Sequence, residues 1–321
     1  MKGVLLIDGI ILVNKPQGFT SFDVVAKMRG ICGTRKIGHA GTLDPMASGV
    51  LPIFVGNATK ACDCAPVQDK SYRAVMRLGF TTDTLDITGK VLTQSEVKAS
   101  KEDVMRVIDE FVGEITQIPP MYSAVKIGGK KLYQLAREGK TVERPERRIT
   151  IYSIDLVDCN EEKNEYTIDV SCSKGTYIRT LCDDIGAKLG CGAVMTELTR
   201  TSALGFSLDD CFTLEELDEL KTQDNLESAV TDVSYLFESL IKVSLNHHDA
   251  YYFCNGIKME AKRLGCEGLE GDFSVCELLE NGENLFLGVA FVQPDGIVKL
   301  KKLFTKRTEK PVKDGSGTDE E

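Results

Sequence analysis

Between Ser71 and Leu78 the side chains alternate: Tyr72, Ala74, Met76 and Leu78 fall on one side, Ser71, Arg73, Val75 and Arg77 on the other. A period of two marks a strand with one buried face. The alternation returns in residues 165–172, with Tyr166, Ile168, Val170 and Cys172 in step, and residues 149–158 read as a further strand. Helical patterns stand between these runs. One opens at Thr20 or Ser21, with Val24, Val25 and Met28 on a single face, and ends near Gly30 to Gly33. A second opens at Ser100 with Val104, Val107, Ile108 and Phe111, and a third spans residues 177–189 after a Ser173-Lys174-Gly175 turn. No regular strand–helix–strand rhythm joins them. The fold class expected is α+β, with a mixed, largely antiparallel central sheet flanked by helices, rather than a doubly wound sheet.

At 321 residues the chain is long for one core, so a large domain and a smaller one are expected. Residues 4–7 and 10–13 flank Asp8-Gly9, a pair suited to a type I′ hairpin turn. Thr213-x-x-Glu216 is a capping box that opens a short acidic helix, expected to bridge the two domains. Past residue 240 a brief helix over 249–254 is stopped by Asn255-Gly256, and residues 273–279, 285–292 and 297–304 read as a β-meander. The division expected is 1–238 for the large domain, 239–305 for a small β-rich module and 306–321 for a disordered tail rich in Lys, Glu, Asp, Gly and Ser.

The net charge of −10 argues at first against a polyanionic partner. Its distribution matters more than the sum. Ten carboxylates lie between Phe206 and Glu238 against Lys221 alone, while residues 14–60 carry a balance of +4 and residues 126–148 one of +5. Two basic regions thus remain for phosphate contacts, although each taken alone is more often a solvated face. The eleven cysteines are scattered without a C-x-x-C, which suits reduced thiols in the cytoplasm. With His39, His247 and His248 the only histidines, no metal site is expected. The apolar start of the chain is interrupted by Asp8-Gly9 and followed by no small-residue cleavage site, so no export signal is read there. No apolar run approaches the ~18 residues of a bilayer span, so no membrane association is expected.

His39 stands in the segment Gly38-His39-Ala40-Gly41-Thr42-Leu43-Asp44-Pro45-Met46-Ala47-Ser48-Gly49-Val50-Leu51-Pro52. Pro45 biases Asp44 away from the helical region and is itself suited to a first helical position, so Asp44 is expected at a loop-to-helix junction. On local grounds an Asp there is an N-cap. Gly38, Gly41 and Gly49 add a loop that another backbone can approach closely. This stretch resembles the catalytic motif of the TruB family of tRNA pseudouridine synthases, whose catalytic carboxylate falls on Asp44. Further family features follow in order: Asp8-Gly9-Ile10-Ile11-Leu12-Val13-Asn14-Lys15-Pro16-x-Gly18-x-Thr20-Ser21, Lys70-Ser71-Tyr72-Arg73-Ala74, Thr82-Asp83-Thr84-x-Asp86-x-x-Gly89, and Ser173-Lys174-Gly175-Thr176-Tyr177-Ile178-Arg179-Thr180-Leu181. Met46-Ala47-Ser48 is more similar to the stand-alone bacterial members than to guide-RNA-dependent relatives.

The resemblance implies a pseudouridine synthase fold with a small PUA-like module, and isomerisation of uridine-55 in the tRNA T-loop by base flipping. It also implies a monomer that needs no guide RNA, protein partner or cofactor. Asp44 would be the nucleophile, attacking C6 or C1′ or supporting a glycal-forming path. Arg179 would pair with Asp44, although by local spacing it could pair with Asp183 instead. Tyr72 would stack on the extruded uracil, Tyr177 would stand near C5 and relay its proton, Leu198 would wall the pocket, and His39 would fill the gap left by the base. Lys15, Lys126, Lys130 and Lys131 are candidate RNA contacts. Residues 121–148 resemble a mobile thumb, expected to be loosely ordered without RNA. Glu197-Leu198-Thr199-Arg200-Thr201 departs from the Leu-Arg-Arg of many members, which removes one basic contact.

Two other readings use the same residues. A tRNA-folding chaperone of this fold would not need the Asp44 carboxylate. A retaining nucleoside glycosidase would need a second acid about 5 Å away, for which Asp86 and Asp183 are the nearest candidates.

Overall fold

The protein is described by a computed structural model over residues 7–307. In chain order its strands begin with β1 (Gly9–Lys15), β2 (Ile37–His39), β3 (Ser48–Val55), β4 (Lys70–Leu78), β5 (Phe80–Thr82), β6 (Val91–Gln94) and β7 (Gly113–Gln117). There follow β8 (Lys126–Ile127), β9 (Lys130–Lys131), β10 (Arg147–Asn160), β11 (Glu165–Cys172), β12 (Ala193–Ala203), β13 (Phe206–Ser207) and β14 (Val230–Thr231). A ten-stranded sheet runs in the order β14-β1-β3-β12-β4-β11-β10-β7, with β2 on β3 and β13 on β12. Its pairings are antiparallel except that of β12 with β3, so the sheet is mixed and largely antiparallel.

The alternating residues of β4 explain its central place. Tyr72, Ala74, Met76 and Leu78 are buried, as are Tyr166, Ile168, Val170 and Cys172 on the neighbouring β11. Against this face pack α2 (Lys101–Asp109), through Val104, Val107 and Ile108, and α4 (Ile178–Lys188), through Ile178, Leu181, Cys182 and Ile185. Ser100 caps the first of these with a complete capping box, and Phe111 packs just past its end.

The helix α1 (Ser21–Cys32) starts at the Thr20 cap, ends at Gly33 in a left-handed conformation (φ 64°), and buries Val24, Val25 and Met28 on β1 and β3. The acidic helix α5 (Leu214–Thr222) opens at its capping box as expected but is no bridge. Its apolar residues Leu214 and Leu217 share one cluster with α1, and its carboxylates form the solvent face.

A five-stranded sheet follows, in the order β15-β17-β18-β19-β16, built from β15 (Lys242–Leu245), β16 (Met259–Glu260), β17 (Asp272–Leu278), β18 (Asn284–Val292) and β19 (Ile297–Leu303). The expected meander is β17 to β19, and the helix before it, α6 (His247–Cys254), ends at Asn255. Val233, Leu236 and Phe237 join the two sheets in a cluster with Ile10, Leu12 and Phe54 on one side and Phe286 and Phe304 on the other. Phe237 stacks on Phe286 at 5.4 Å between ring centroids, and Lys60 Nζ donates to the Leu303 carbonyl at 2.6 Å.

One local expectation lies mostly outside the described residues and one differs from the structure. Of the hairpin arm expected over residues 4–7 only Ile7 is described; among the described residues the partners of β1 are β3 and β14, and Asp8 Oδ1 accepts from the Ala58 amide. No helix follows Pro45. The Ala47 amide donates to the Asp44 carbonyl at 3.1 Å, closing a turn that leads into β3. The fixed φ of proline suits a turn's second residue as well as a first helical one, and the pairing of the segment after it with β1 decides for the strand. The expected tail over 306–321 falls almost wholly outside the described residues.

Candidate active site

The loop that carries Asp44 is held from behind by the chain's N-terminal segment. Ser21 Oγ accepts from the Leu43 amide at 2.9 Å and donates to the Leu43 carbonyl at 3.1 Å. The Gly18 amide donates to the Pro45 carbonyl at 2.7 Å. Lys15 Nζ donates to the carbonyls of Pro16 (2.9 Å), Phe19 (2.5 Å) and Pro45 (3.5 Å). Gly49, at φ 104°, lets β3 meet β12: a Cβ there would lie 2.2 Å from the Arg200 carbonyl oxygen. These bonds fix the residues on both sides of Asp44 and leave its carboxylate partly open to solvent.

Arg179, on the first turn of α4, supplies the charge opposite. Its Nε lies 3.0 Å from Asp44 Oδ2, and Nη1 lies 3.4 Å from Asp86 Oδ2. Nη1 also donates to the Thr84 carbonyl (3.1 Å) and Nη2 to the Tyr122 carbonyl (2.8 Å). The guanidinium is buried and aims at Asp44 and Asp86, which settles its geometry against the local alternative, Asp183. Asp86 is itself saturated, accepting at Oδ1 from Thr84 Oγ1 (2.8 Å), the Thr88 amide (3.0 Å) and Thr88 Oγ1 (2.6 Å). Burial pushes the Asp44 carboxyl above its ordinary pKa and the Asp86 charge adds to the rise, while Arg179 and Lys15 oppose it.

Two cavities meet at this pair. The first, about 390 Å³, is lined by Asp44, Tyr72, Tyr177 and Leu198, with Lys70 and Arg200 in its wall. The second, about 660 Å³, shares Asp44 and Arg179 and adds His39, Phe22, Asp86 and the thumb residues Lys131 and Tyr133. Gln117, at the end of β7, holds the Tyr177 backbone from both sides: the Tyr177 amide donates to its Oε1 (3.0 Å) and its Nε2 donates to the Tyr177 carbonyl (3.2 Å). His39 Nδ1 is buried without a hydrogen bond, and burial with nearby Arg200 pushes the imidazole pKa down, which favours the neutral ring.

A family model described as the N-terminal domain of TruB family pseudouridylate synthase matches residues 29–178, and one for the C-terminal domain of tRNA pseudouridylate synthase B matches 179–241. The tRNA pseudouridine synthase B of Alkaliphilus oremlandii is 46% identical over 80% of this chain and 84% of its own length. The chain belongs to the TruB family. A second TruB relative, from Bacillus velezensis, is 40% identical over 95% of this chain and all of its own length. Among solved structures, the Cbf5-Nop10-Gar1 complex contains a chain with TM-score 0.68 at 25% identity, covering 95% of this chain and 86% of that one. The TruB-family chain thus has a pseudouridine synthase fold, completed by the smaller C-terminal β-sheet.

In this TruB-family chain Asp44, Tyr72, Tyr177, Arg179 and Leu198 come together around the first cavity, and His39 and Lys131 lie on the second. Lys126 and Lys130 stand outside both, exposed on the β8-β9 hairpin, where Lys130 faces Glu138 at 3.3 Å. That hairpin and the helix α3 (Leu132–Arg137) give the thumb a defined shape. Lys15 is the correction: its side chain is fully buried and spends its protons on three carbonyls, so it is no RNA contact. A lysine in a Lys-Pro turn reads as surface, because the carbonyls that bury it come from residues up to thirty positions away. The roles of Asp86, Gln117 and Arg200 were not legible either. Asp86 lay within a motif but carried no local sign of facing Arg179, and nothing in sequence distinguishes a buried Arg200 on a strand from an exposed one.

Proposed function

We infer that this protein is a tRNA pseudouridine synthase that converts uridine-55 of the T-loop to pseudouridine. The observation that carries the reading is the Asp44–Arg179 ion pair at the mouth of a nucleoside-sized cavity with Tyr72 in its wall. The relatives at 40–46% identity bear the name tRNA pseudouridine synthase B. The reaction breaks the N1–C1′ bond, turns the base and joins C5 to C1′, so it balances without an outside reagent or cofactor. A base in folded RNA is reached only by extrusion. Tyr72 then stacks on the uracil, Leu198 closes its apolar edge, and neutral His39 takes the vacated place in the strand. Asp44 supplies the anion at C6 or C1′, or along a glycal path, and Arg179 orients it. Tyr177 receives the C5 proton.

The remaining roles follow from the same reading. Residues 1–238 form the catalytic domain, 239–305 a PUA-like RNA-binding module, and the protein acts as a cytoplasmic monomer on tRNA alone. Among the described residues no helix is long and apolar enough to cross a membrane. Lys126, Lys130 and Lys131 bring the thumb onto phosphates.

The decisive assay uses a T-stem-loop RNA tritiated at uracil C5, with no metal or cofactor added. Tritium released to water matches one uridine per RNA and disappears in Asp44→Ala; release that persists in that variant defeats the mechanism. Free uracil among the products would identify a glycosidase instead. Against that outcome stands Asp86, the second carboxylate near Asp44, which is occupied by Arg179 and two threonines. A chaperone reading predicts that Asp44→Asn keeps RNA refolding, which can coexist with isomerisation.

A further inference from the structure

The first cavity contains two cations with no part in the Asp44 network, Lys70 and Arg200. Arg200 is fully buried, a rare state for arginine unless it is paired. Among the described residues no carboxylate faces it. Its Nε donates to the Val50 carbonyl at 2.7 Å, its Nη2 to the Gly41 carbonyl at 3.0 Å, and the Tyr72 hydroxyl lies beside the guanidinium. Nη1 is buried in the wall of the first cavity and makes no hydrogen bond. A buried charged donor without a partner is costly, and its persistence points to a ligand that completes it.

Lys70 is half-buried. Its Nζ donates once, to the Gln68 carbonyl at 2.7 Å, and keeps two protons for a ligand. Burial pushes its pKa down, and the Arg200 charge adds to the fall. Asp69, the nearest acid along the chain, accepts from the Tyr152 hydroxyl at 3.0 Å. The two cations converge on Gly41, at φ 74°: a Cβ there would lie 3.0 Å from Arg200 Nη1 and 3.3 Å from Lys70 Cε. The absence of a side chain at Gly41 leaves that junction open.

We propose that Lys70 and Arg200, meeting over Gly41, form an anion site that grips a phosphodiester next to the extruded uridine. The proposal rests on the reading of the protein as an RNA-modifying enzyme. Phosphate is the anionic group of RNA, and an ammonium beside a guanidinium is its natural ligand set. Gly41 precedes Asp44 by three residues and so lies within about 10 Å of it, close enough for one nucleotide to touch both. Because the site opens into the base cavity, it holds the strand only when the uridine is out, and it therefore favours the flipped state over the stacked one.

The test compares a T-stem-loop RNA with one whose phosphodiesters flanking the target uridine are neutral methylphosphonates. Binding is measured across a salt series for the unaltered protein, Lys70→Met and Lys70→Arg, with thermal melting to verify folding. The neutral linkage weakens binding by the unaltered protein roughly tenfold or more. Lys70→Met lowers the slope of log affinity against log salt by about 0.7 and suffers a much smaller methylphosphonate penalty, whereas Lys70→Arg restores both. A full salt slope and an undiminished penalty in Lys70→Met overturn the site, as does a methylphosphonate RNA that binds the unaltered protein normally. These readouts measure binding alone. Binding that behaves as expected without pseudouridine formation refutes the catalytic reading and leaves the anion site standing, and failure to bind RNA at all refutes both.

Discussion

Arg179 Nε stands 3.0 Å from Asp44 Oδ2 while the same guanidinium reaches Asp86 Oδ2 at 3.4 Å, so two carboxylates share one buried cation. They differ in what else they touch. Asp86 is enclosed and fully hydrogen-bonded; Asp44 looks into both cavities. The enclosed acid anchors the arginine, and the open one is left free for chemistry.

Replacing Asp86 by Asn therefore has two separable effects. Arg179 loses an anchor, and misplacement of a catalytic pair by such a change costs on the order of 10²-fold in kcat. The acid limb of kcat/KM moves to lower pH, because the negative charge that helps raise the Asp44 pKa has gone. The pH–rate profile separates the two, and an acid limb that stays in place or rises contradicts the assignment of Asp44 as the titrating group.

Asp44→Asn should stabilise the fold it inactivates. Burial raises the Asp44 pKa above its unfolded value, so the folded chain holds that proton more tightly. Stability is lost as pH rises through the window from the unfolded pKa of about 3.9 up to the raised folded one. At pH 7 the ionised carboxylate is a net cost that the amide avoids, although the amide also weakens the pairing with Arg179. The expected result is a higher melting temperature at pH 7, with the gain fading below about pH 4. Equal or lower melting of the variant at pH 7 would show that the Arg179 pairing outweighs burial.

The elements that were legible in the sequence were those whose pattern repeats locally. Alternation located β4 and β11, cap residues followed by an apolar face located α1 and α2, and a capping box located α5, because a strand's period and a helix's cap are set within a few residues. What escaped depended on distant contacts. Asp-Pro at positions 44–45 is compatible with a helix start or a turn, and the choice was made by β3 pairing with β1. Likewise Lys15, Gln117 and Arg200 are ordinary polar residues until the fold surrounds them with carbonyls from remote segments.

Gln117→Ala tests whether the clamp on the Tyr177 backbone matters to catalysis. The substitution leaves the half-buried Tyr177 amide unpaired, at a cost of about 1–3 kcal/mol, while the Tyr177 carbonyl keeps the Leu181 amide. Tyr177 and Arg179 lie within that first turn, so the expected signature is a fall in kcat with KM nearly unchanged. A rise in KM alone would assign Gln117 to RNA binding rather than to the geometry around Asp44.

Lys15→Met distinguishes a buried brace from a phosphate contact. Losing three donated hydrogen bonds leaves the carbonyls of Pro16 and Phe19 unsatisfied, while Pro45 keeps the Gly18 amide, a destabilisation of about 1–3 kcal/mol that melting will register. The salt slope of RNA affinity should not move, because Lys15 lines neither cavity and its three protons go to carbonyls, whereas Lys126→Ala on the exposed hairpin should reduce it by about 0.7 to 0.9. The pH dependence is a second signature. Burial lowers the Lys15 pKa to about 8, while the unfolded chain keeps its proton up to about 10.4. Between those values the unfolded state binds more protons, so the contribution of Lys15 to stability rises with pH through that window. That rise should be missing from Lys15→Met; if both proteins follow the same stability curve from pH 8 to pH 10, the lysine is not buried as an ammonium behind the Asp44 loop.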